Sequence, residues 1–410
     1  MPIRSQNMST PLQTNKAVSP LKLSLLWFGI QLAWGAVLGL SLQARSLQLS
    51  GVQSLALFGA VSSAGALAAA VAQLAIGPIS DRLRRRGNKR IVFYATGAGV
   101  AAIALIAFYI APTVPSFVIA FVVLQLAMNV AIGPYQAIIP DFVPTERIGV
   151  ASGWMAAMQS AGNAAGAIAA TLLGNTPKLG VAMAFLLVLS AVLTIRHLRA
   201  VPLQPLAEAK GLRMSASLVD LFISRALVYI GFYTLLGYFY FYVRNTLPQP
   251  FALDPTTASG VCVLLFTLVG AAGAALAAKP ADRFDERAIV TIGGGILAAS
   301  VGLLALVHSL ILIPIFISIA GIGWGIFLCA DWAFACRLLP PGSLASTMAI
   351  WNLAIVGPQM LAPIVATLLL RATNTLEKAS GPREAFFLAC GELLLGALWI
   401  WRLPKRASWE

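Results

Sequence analysis

Gly77-Pro78-Ile79-Ser80-Asp81-Arg82-Leu83-Arg84-Arg85-Arg86-Gly87-Asn88-Lys89-Arg90 closes one long apolar run, and Ala278-Lys279-Pro280-Ala281-Asp282-Arg283 closes another. The two aspartates stand 201 positions apart. A second pair of landmarks keeps nearly the same offset: Val143-Pro144 and Leu339-Pro340 are 196 positions apart, each followed by an Ala-Thr-Leu-Leu run ending at Leu173 or Leu369. Loops and apolar runs therefore recur in order, which reads as an internal repeat of a large unit. Around these landmarks the chain is 59% hydrophobic and 10% charged, with a mean hydropathy of +0.86. A soluble domain carries about 25% charged residues. This composition excludes an ordinary soluble enzyme, a disordered chain and a secreted disulfide scaffold. The net charge of +14 sits in short clusters between apolar runs, so it reads as membrane topology and not as a nucleic-acid surface. Cys262, Cys329, Cys336 and Cys390 lie inside apolar runs without metal-ligand spacing.

A membrane-crossing helix needs about 20 mostly apolar residues. Twelve windows qualify: 22–48, 53–80, 91–111, 115–140, 149–173 and 179–197, then 216–243, 256–279, 288–308, 310–337, 343–370 and 384–403. They are too long for barrel strands and lack period-two alternation. Of the 28 Lys and Arg residues, 21 fall on the side of the tails, six on the other side, and Arg225 lies within a span. Positive residues stay inside, so both termini are expected in the cytoplasm. The expected fold class is an all-α membrane protein with twelve transmembrane helices in two pseudo-symmetric six-helix bundles. The expected divisions are a tail at 1–20, a first bundle at 21–197, a basic linker at 198–215, a second bundle at 216–403 and a tail at 404–410. Two such halves, related by an axis along the membrane normal, form the architecture of a rocking transporter.

Asp81, beside six cations at a helix end, is suited to accept hydrogen bonds from an arginine or from a helix N-terminus in the other half. The same loop resembles the signature of the major facilitator superfamily, Gly-x-x-x-Asp-Arg-x-Gly-Arg-Arg, with Arg84 in place of its second glycine. It is closer to the longer Ser-Asp-Arg-x-Arg-x-Arg-x-Gly-Arg-Arg form of the glycoside–pentoside–hexuronide transporters and their sucrose-transporter relatives, one residue short before Gly87. Gly29-Ile30-Gln31-Leu32-Ala33-Trp34 with Leu40-Ser41-Leu42 is similar to their first helix. Asn129 to Ala137 with Pro140-Asp141 is similar to their fourth. The resemblance implies the major facilitator fold, with the first, fourth, seventh and tenth spans around a central cavity. It also implies a conformational latch formed by Asp81, Arg82 and Arg86, with Asp282-Arg283 as counterpart. Gln125 and Gln136 stand where proton-coupled sucrose transporters carry an aspartate and an arginine. The second span lacks the acids of melibiose-permease-like members, so inherited coupling is not expected in the first half.

An ionisable group inside the bilayer costs about 2.5–3.5 kcal/mol on insertion scales, so each one needs a reason. Asp331 is nine residues before Pro340, about 13.5 Å of helix. It is the candidate proton carrier, with Arg225 of the seventh span as its partner or as a clamp for a substrate oxygen. Gln125, Asn129 and Gln136 share one helical face. So do Gln159 and Asn163, Asn352 and Gln359, and Gln31 and Trp34. With Tyr229, Tyr233 and Trp332 these amides and rings suit a neutral polyol. Interhelical bonding explains buried amides equally well. Gly153, Gly162 and Gly166 resemble the antiporter motif of the fifth helix, with Ala167 in place of its proline. No Walker-type phosphate loop, metal cluster or nucleophile constellation occurs in the sequence, so neither a cofactor nor an enzymatic reaction is expected. The sequence predicts a monomeric inner-membrane secondary transporter for a small solute, with the lipid bilayer and protons as partners and no nucleic acid. A sugar or glycoside is the first solute class. The alternatives are proton-driven efflux of amphipathic compounds and uncoupled facilitation.

Overall fold

In the computed structural model of the chain, the described residues are 18–50, 54–87, 89–205, 215–246, 255–307, 309, 311–338, 344–375, 378 and 380–404. Most of the expected N-terminal tail, half of the linker, the end of the C-terminal tail, Asn88 and Leu339-Pro340 lie outside them. The first half contains α1 (Pro20–Ala36), a π-helical turn (Val37–Ser41), α2 (Leu42–Ser50), α3 (Ser54–Arg85), α4 (Ile91–Ile110), α5 (Val114–Tyr135), the short α6 (Ile138–Phe142), α7 (Ile148–Leu173) and α8 (Pro177–Arg199). The second contains α9 (Ala216–Thr246), α10 (Pro255–Ala278), the short α11 (Pro280–Arg283), α12 (Glu286–Leu306), α13 (Leu312–Leu338), α14 (Leu344–Ala372) and α15 (Gly381–Trp399). The first expected span is thus one rod made of α1, the π turn and α2.

Helices form because a chain in hydrocarbon must satisfy every backbone polar group internally. Local signals set their starts. Ser19 accepts from the Lys22 N–H, Pro20 occupies the first turn of α1, and Thr113 and Ser116 form a reciprocal capping box before α5. Eleven helices are long and apolar enough to cross a membrane among the described residues. The fifth expected span, α7, has the length at 26 residues but falls outside that group. Its Gly, Ser, Asn and Gln content lowers its hydropathy, and its packing explains why this is tolerated. α7 is wedged between α1 and the second half, so few of its groups face lipid.

The repeat is visible in the packing. α3 and α4 both pack on α5, as α10 and α12 pack on α13. α1 and α4 pack on α8, as α9 and α12 pack on α15. Across the halves α7 lies against α10 and α14 lies against α3, the same contact repeated about the pseudo-axis. Glycines permit the tightest of these approaches. A Cβ on Gly325 would run into the Gly270 carbonyl oxygen of α10, and one on Gly166 into the Leu32 carbonyl oxygen of α1. Small residues at such crossings let backbones touch where lipid gives no hydrophobic drive. Gly162 packs likewise on α1, whereas Gly153 packs on Ala274 and Ala278 of α10. The glycine spacing of α7 is fully used by packing.

Candidate functional site

Each half builds a buried ion network at the basic end of the molecule. In the first half Asp141, fully buried on α6, accepts from Arg84 at 2.9 Å and from Arg90 at 2.6 Å. Arg90 also reaches Asp81 at 3.0 Å and the Ser80 hydroxyl. Burial works against the charge of Arg90, but the Asp141 and Asp81 carboxylates raise its pKa above the ordinary guanidinium value. Lys89 donates to the Leu198 and Val201 carbonyls at 2.6 and 2.7 Å, capping the end of α8. The six cations of this loop therefore divide by role. Arg84, Lys89 and Arg90 point into the protein, while Arg82, Arg85 and Arg86 are exposed.

Asp81 spends its other oxygen across the halves. It accepts from the Ser346 N–H at 2.9 Å and the Ser346 hydroxyl at 2.6 Å, in the first turn of α14. Asp282 does the same at the related position. It accepts from the Gly149 and Val150 N–H groups at the start of α7, the latter at 2.9 Å. Arg337 of α13 anchors Asp282 at 3.0 Å and also pairs with Glu286. Two carboxylates thus sit on two helix N-termini, each at a favourable end of a helix dipole. The expected latch cations face outward in this conformer. Arg82, Arg86 and Arg283 are exposed, and the inward roles belong to Arg84, Arg90 and Arg337. Only the latter three are placed to reach a buried carboxylate.

Gly149 allows the second contact, because a Cβ there would sit 2.7 Å from the Ala281 carbonyl carbon and the Asp282 nitrogen. Gly149→Ala is expected to push α7 away from α11 and weaken closure at this end. Cys329, fully buried with its Sγ 3.6 Å from the Gly149 carbonyl oxygen, reports on the same seam. With the other three cysteines replaced by serine, maleimide labelling of Cys329 is expected to speed up about tenfold in Gly149→Ala, since lost hydrogen bonds to a charged acceptor are worth about 1.5–3 kcal/mol. Unchanged labelling would show that the seam absorbs the methyl group.

Deeper in the bilayer region a line of amides crosses the other seam, where α3 and α5 meet α14. Gln136 donates to Asn352 at 3.1 Å, Asn352 to Gln73 at 3.0 Å, Gln73 to Asn129 at 2.6 Å, and Asn129 to the Gln125 carbonyl at 2.8 Å. Three of the five come from the predicted α5 stripe and Asn352 from α14. Gln73 is the member that the sequence reading missed, although it is the lone amide of α3. In this arrangement the amides bond one another. Beside them the Trp27 indole donates to Gln159 at 3.1 Å, and Trp27, Trp332 and Trp351 meet edge to face at 5.5 and 5.4 Å. Gln31, Trp34 and Asn163 are half-buried near the α1–α7 crossing, where Gly162 and Gly35 pack on Gln31 and Asn163. Gln359, on the same face of α14 as Asn352, is exposed. The cross-half hydrogen bonds of Asp81, Asp282, Asn352 and Cys329 lie between the basic end and this layer.

Arg225 of α9 and Asp331 of α13 form a direct ion pair, both about 1% exposed. The Arg225 guanidinium carbon lies 3.5 Å from the centre of the Trp351 ring, and its Nη2 is 3.3 Å from the Tyr229 hydroxyl. Tyr229 and Tyr233 follow on one face of α9, with ring centres 6.1 Å apart. Beyond them Phe232 stacks on Trp324 at 4.0 Å, nearly parallel. Two other acidic groups near the spans are peripheral. Glu392 accepts from Thr234 at 3.1 Å, and Asp220 accepts from the Trp399 indole at 2.9 Å.

Residues 22–363 match the sequence profile of the Major Facilitator Superfamily. No curated protein sequence matches. Solved structures of the same fold include a bacterial homologue of the iron transporter ferroportin in an outward-facing state, at 15% identity and a TM-score of 0.69, covering 93% of this chain and 98% of that one. The human organic anion transporter MFSD10 (TETRAN) gives 15% identity and 0.66 with the same coverage. The proton:xylose symporter XylE gives 13% and 0.68, over 95% of this chain and 98% of its own. The profile covers most of the chain, and the duplicated six-helix packing, the cross-half aspartates and these structural likenesses agree with it: the chain belongs to the major facilitator superfamily, a multi-pass membrane protein of a family of transporters and not of enzymes.

Proposed function

We propose that the protein is a secondary transporter that moves a small organic solute by alternating access and couples it to protons through Arg225 and Asp331. The observation that carries this reading is the buried ion pair between α9 and α13, set beside the cross-half seam under Trp351. Such a pair is held at a cost, because desolvation offsets most of the Coulombic gain. Protonation of Asp331 would release Arg225, and an ionisable group this deep in a span is a functional element by default. The hydrogen bonds of Asp81 and Asp282 would close the basic end in one conformer and break in the other. We take that end as cytoplasmic, with both termini inside a bacterial inner membrane and the monomer as the working unit, on the strength of the Lys and Arg distribution.

For the solute, the wall above Arg225 favours an amphipathic compound. Phe232, Trp324 and Phe266 form an aromatic group there, and Leu235, Leu236, Phe239, Val263, Phe266 and Ile317 line a small apolar recess. The sugar or glycoside reading rests on the amides, of which Gln136 keeps a buried carbonyl oxygen without a partner. Uptake into proteoliposomes, with and without a pH gradient, tests both. Labelled disaccharides and labelled amphipathic compounds are offered in parallel. Gradient-stimulated accumulation of either class is expected. Uptake of both classes indifferent to the gradient would make the protein a facilitator and refute the coupling role.

A further inference from the structure

We infer that the central site takes a small organic anion with an apolar body and carries it together with one proton. This rests on the coupling role proposed above and names the solute class that the pair requires. Charge balance is the first ground. Arg225 and Asp331 neutralise each other; the charges of α1, α5, α7, α10, α12 and α14 stand only near their ends, and Glu392 of α15 is held by Thr234, nine residues along α9 from Arg225. The titratable groups that face the pair are Tyr229 and Tyr233 of α9, while Cys329 on the helix of Asp331 turns to the Gly149 carbonyl instead. A proton on Asp331 with a neutral solute would leave Arg225 as a lone buried cation, the costliest arrangement. An anionic head that replaces the carboxylate on the guanidinium keeps the site neutral. One proton binds Asp331, one monoanion binds Arg225, and the loaded site moves no net charge.

The donors supply the second ground. Arg225 Nε and Trp351 Nε1 are buried without hydrogen-bond partners, on side chains 1% and 2% exposed that stack on each other. Buried donors in native proteins are nearly always satisfied, and both groups can only donate. They need an acceptor, not another donor. The wall is the third ground. Leu236 lies eleven residues beyond Arg225 on the same face of α9, about 16.5 Å at 1.5 Å per residue. The surface between is Tyr229, Phe232 and Tyr233, with Trp324 stacked alongside. A hydrocarbon or aromatic body leaves water against that wall while its head reaches Arg225.

The test is binding to the full chain in nanodiscs, read by tryptophan fluorescence. The probes are benzenesulfonate, which stays anionic throughout, its uncharged isostere benzenesulfonamide, and a disaccharide. Benzenesulfonate is expected to bind about tenfold tighter at about pH 5.5 than at about pH 8, because protonation of Asp331 is linked to anion binding. In Asp331→Asn the tighter binding should persist at both pH values. Trp351→Phe, which keeps the ring and removes one donor, should weaken the anion and leave benzenesulfonamide unchanged. Arg225→Gln should lose about 30-fold for the anion, the scale of a charge-assisted hydrogen bond. Equal affinity for benzenesulfonamide or the disaccharide, or weaker anion binding in Asp331→Asn, would overturn the inference. Failure of the coupling reading looks different. Anion binding that tightens in Asp331→Asn, with gradient-driven uptake unaffected, would remove the coupling role and keep the anion site. Proton-driven uptake of a neutral solute that Asp331→Asn abolishes would keep the coupling pair and remove the anion.

Discussion

Asp331→Asn is expected to abolish accumulation driven by a pH gradient while sparing solute exchange. The carboxylate is the group that takes the proton, and asparagine keeps its shape and one acceptor oxygen for Arg225. Without a titratable partner the two conformers still interconvert, so counterflow of labelled solute against unlabelled solute should continue. Net uptake should stop at equal concentrations on both sides. Accumulation at the wild-type level in the variant would refute the coupling role. Stability follows from the same pair. Removing one member of a buried ion pair costs about 3–5 kcal/mol, because the other charge is stranded. Arg225 would keep only the Tyr229 hydroxyl and the Trp351 face. Asp331→Ala is therefore expected to be clearly less stable than Asp331→Asn in a thermal melt. Asp331→Asn with Arg225→Gln should recover most of the loss, since replacing both charges is close to neutral. A double variant as unstable as Asp331→Ala would show that the residues are held by something other than each other.

The spans, the duplication and the place of Asp331 within an apolar helix were legible because each leaves a one-dimensional trace. A bilayer demands long apolar runs, and a repeat preserves offsets. The pairing of Asp331 with Arg225 was one of two uses open to that arginine in the sequence, the other being a clamp on a substrate oxygen; the structure shows the pair. The amide stripe of α5 was read for its face but not for its use. Periodicity says which residues point together, and not whether the surface opposite is a solute or another helix. Gln73 and Asn352 lie 279 positions apart, and only the packing of α3 on α14 brings them together. The arginines of the Asp81 loop show a second limit. Arg82 and Arg84 are two positions apart, which on a helix turns one outward and the other inward. Sequence alone did not fix the angle at which α3 ends, so Asp141 was not assigned to its two arginines.

Asp81→Ala combined with Asp282→Ala is expected to open the basic end, and the double variant should exceed either single one. Each carboxylate accepts hydrogen bonds at a helix N-terminus across the seam, and a hydrogen bond to a charged group is worth about 1.5–3 kcal/mol net. Losing one should shift the closed-to-open equilibrium about 10- to 100-fold. The two contacts lie on different helix pairs, α3–α14 and α7–α11, related by the repeat. Their effects should then add nearly independently. The aspartates differ in what remains behind them. Without Asp81, Arg90 still holds Asp141, so the first half keeps its shape. Without Asp282, Arg337 keeps Glu286. The loss therefore falls on the seam and not on either bundle. Spin-label distances between the basic ends of α3 and α14, and of α7 and α10, measure the shift directly. Longer distances at both seams with solute affinity retained are expected. Unchanged distances, or affinity lost while the seams stay closed, would show that the two aspartates serve their own halves and do not gate the passage.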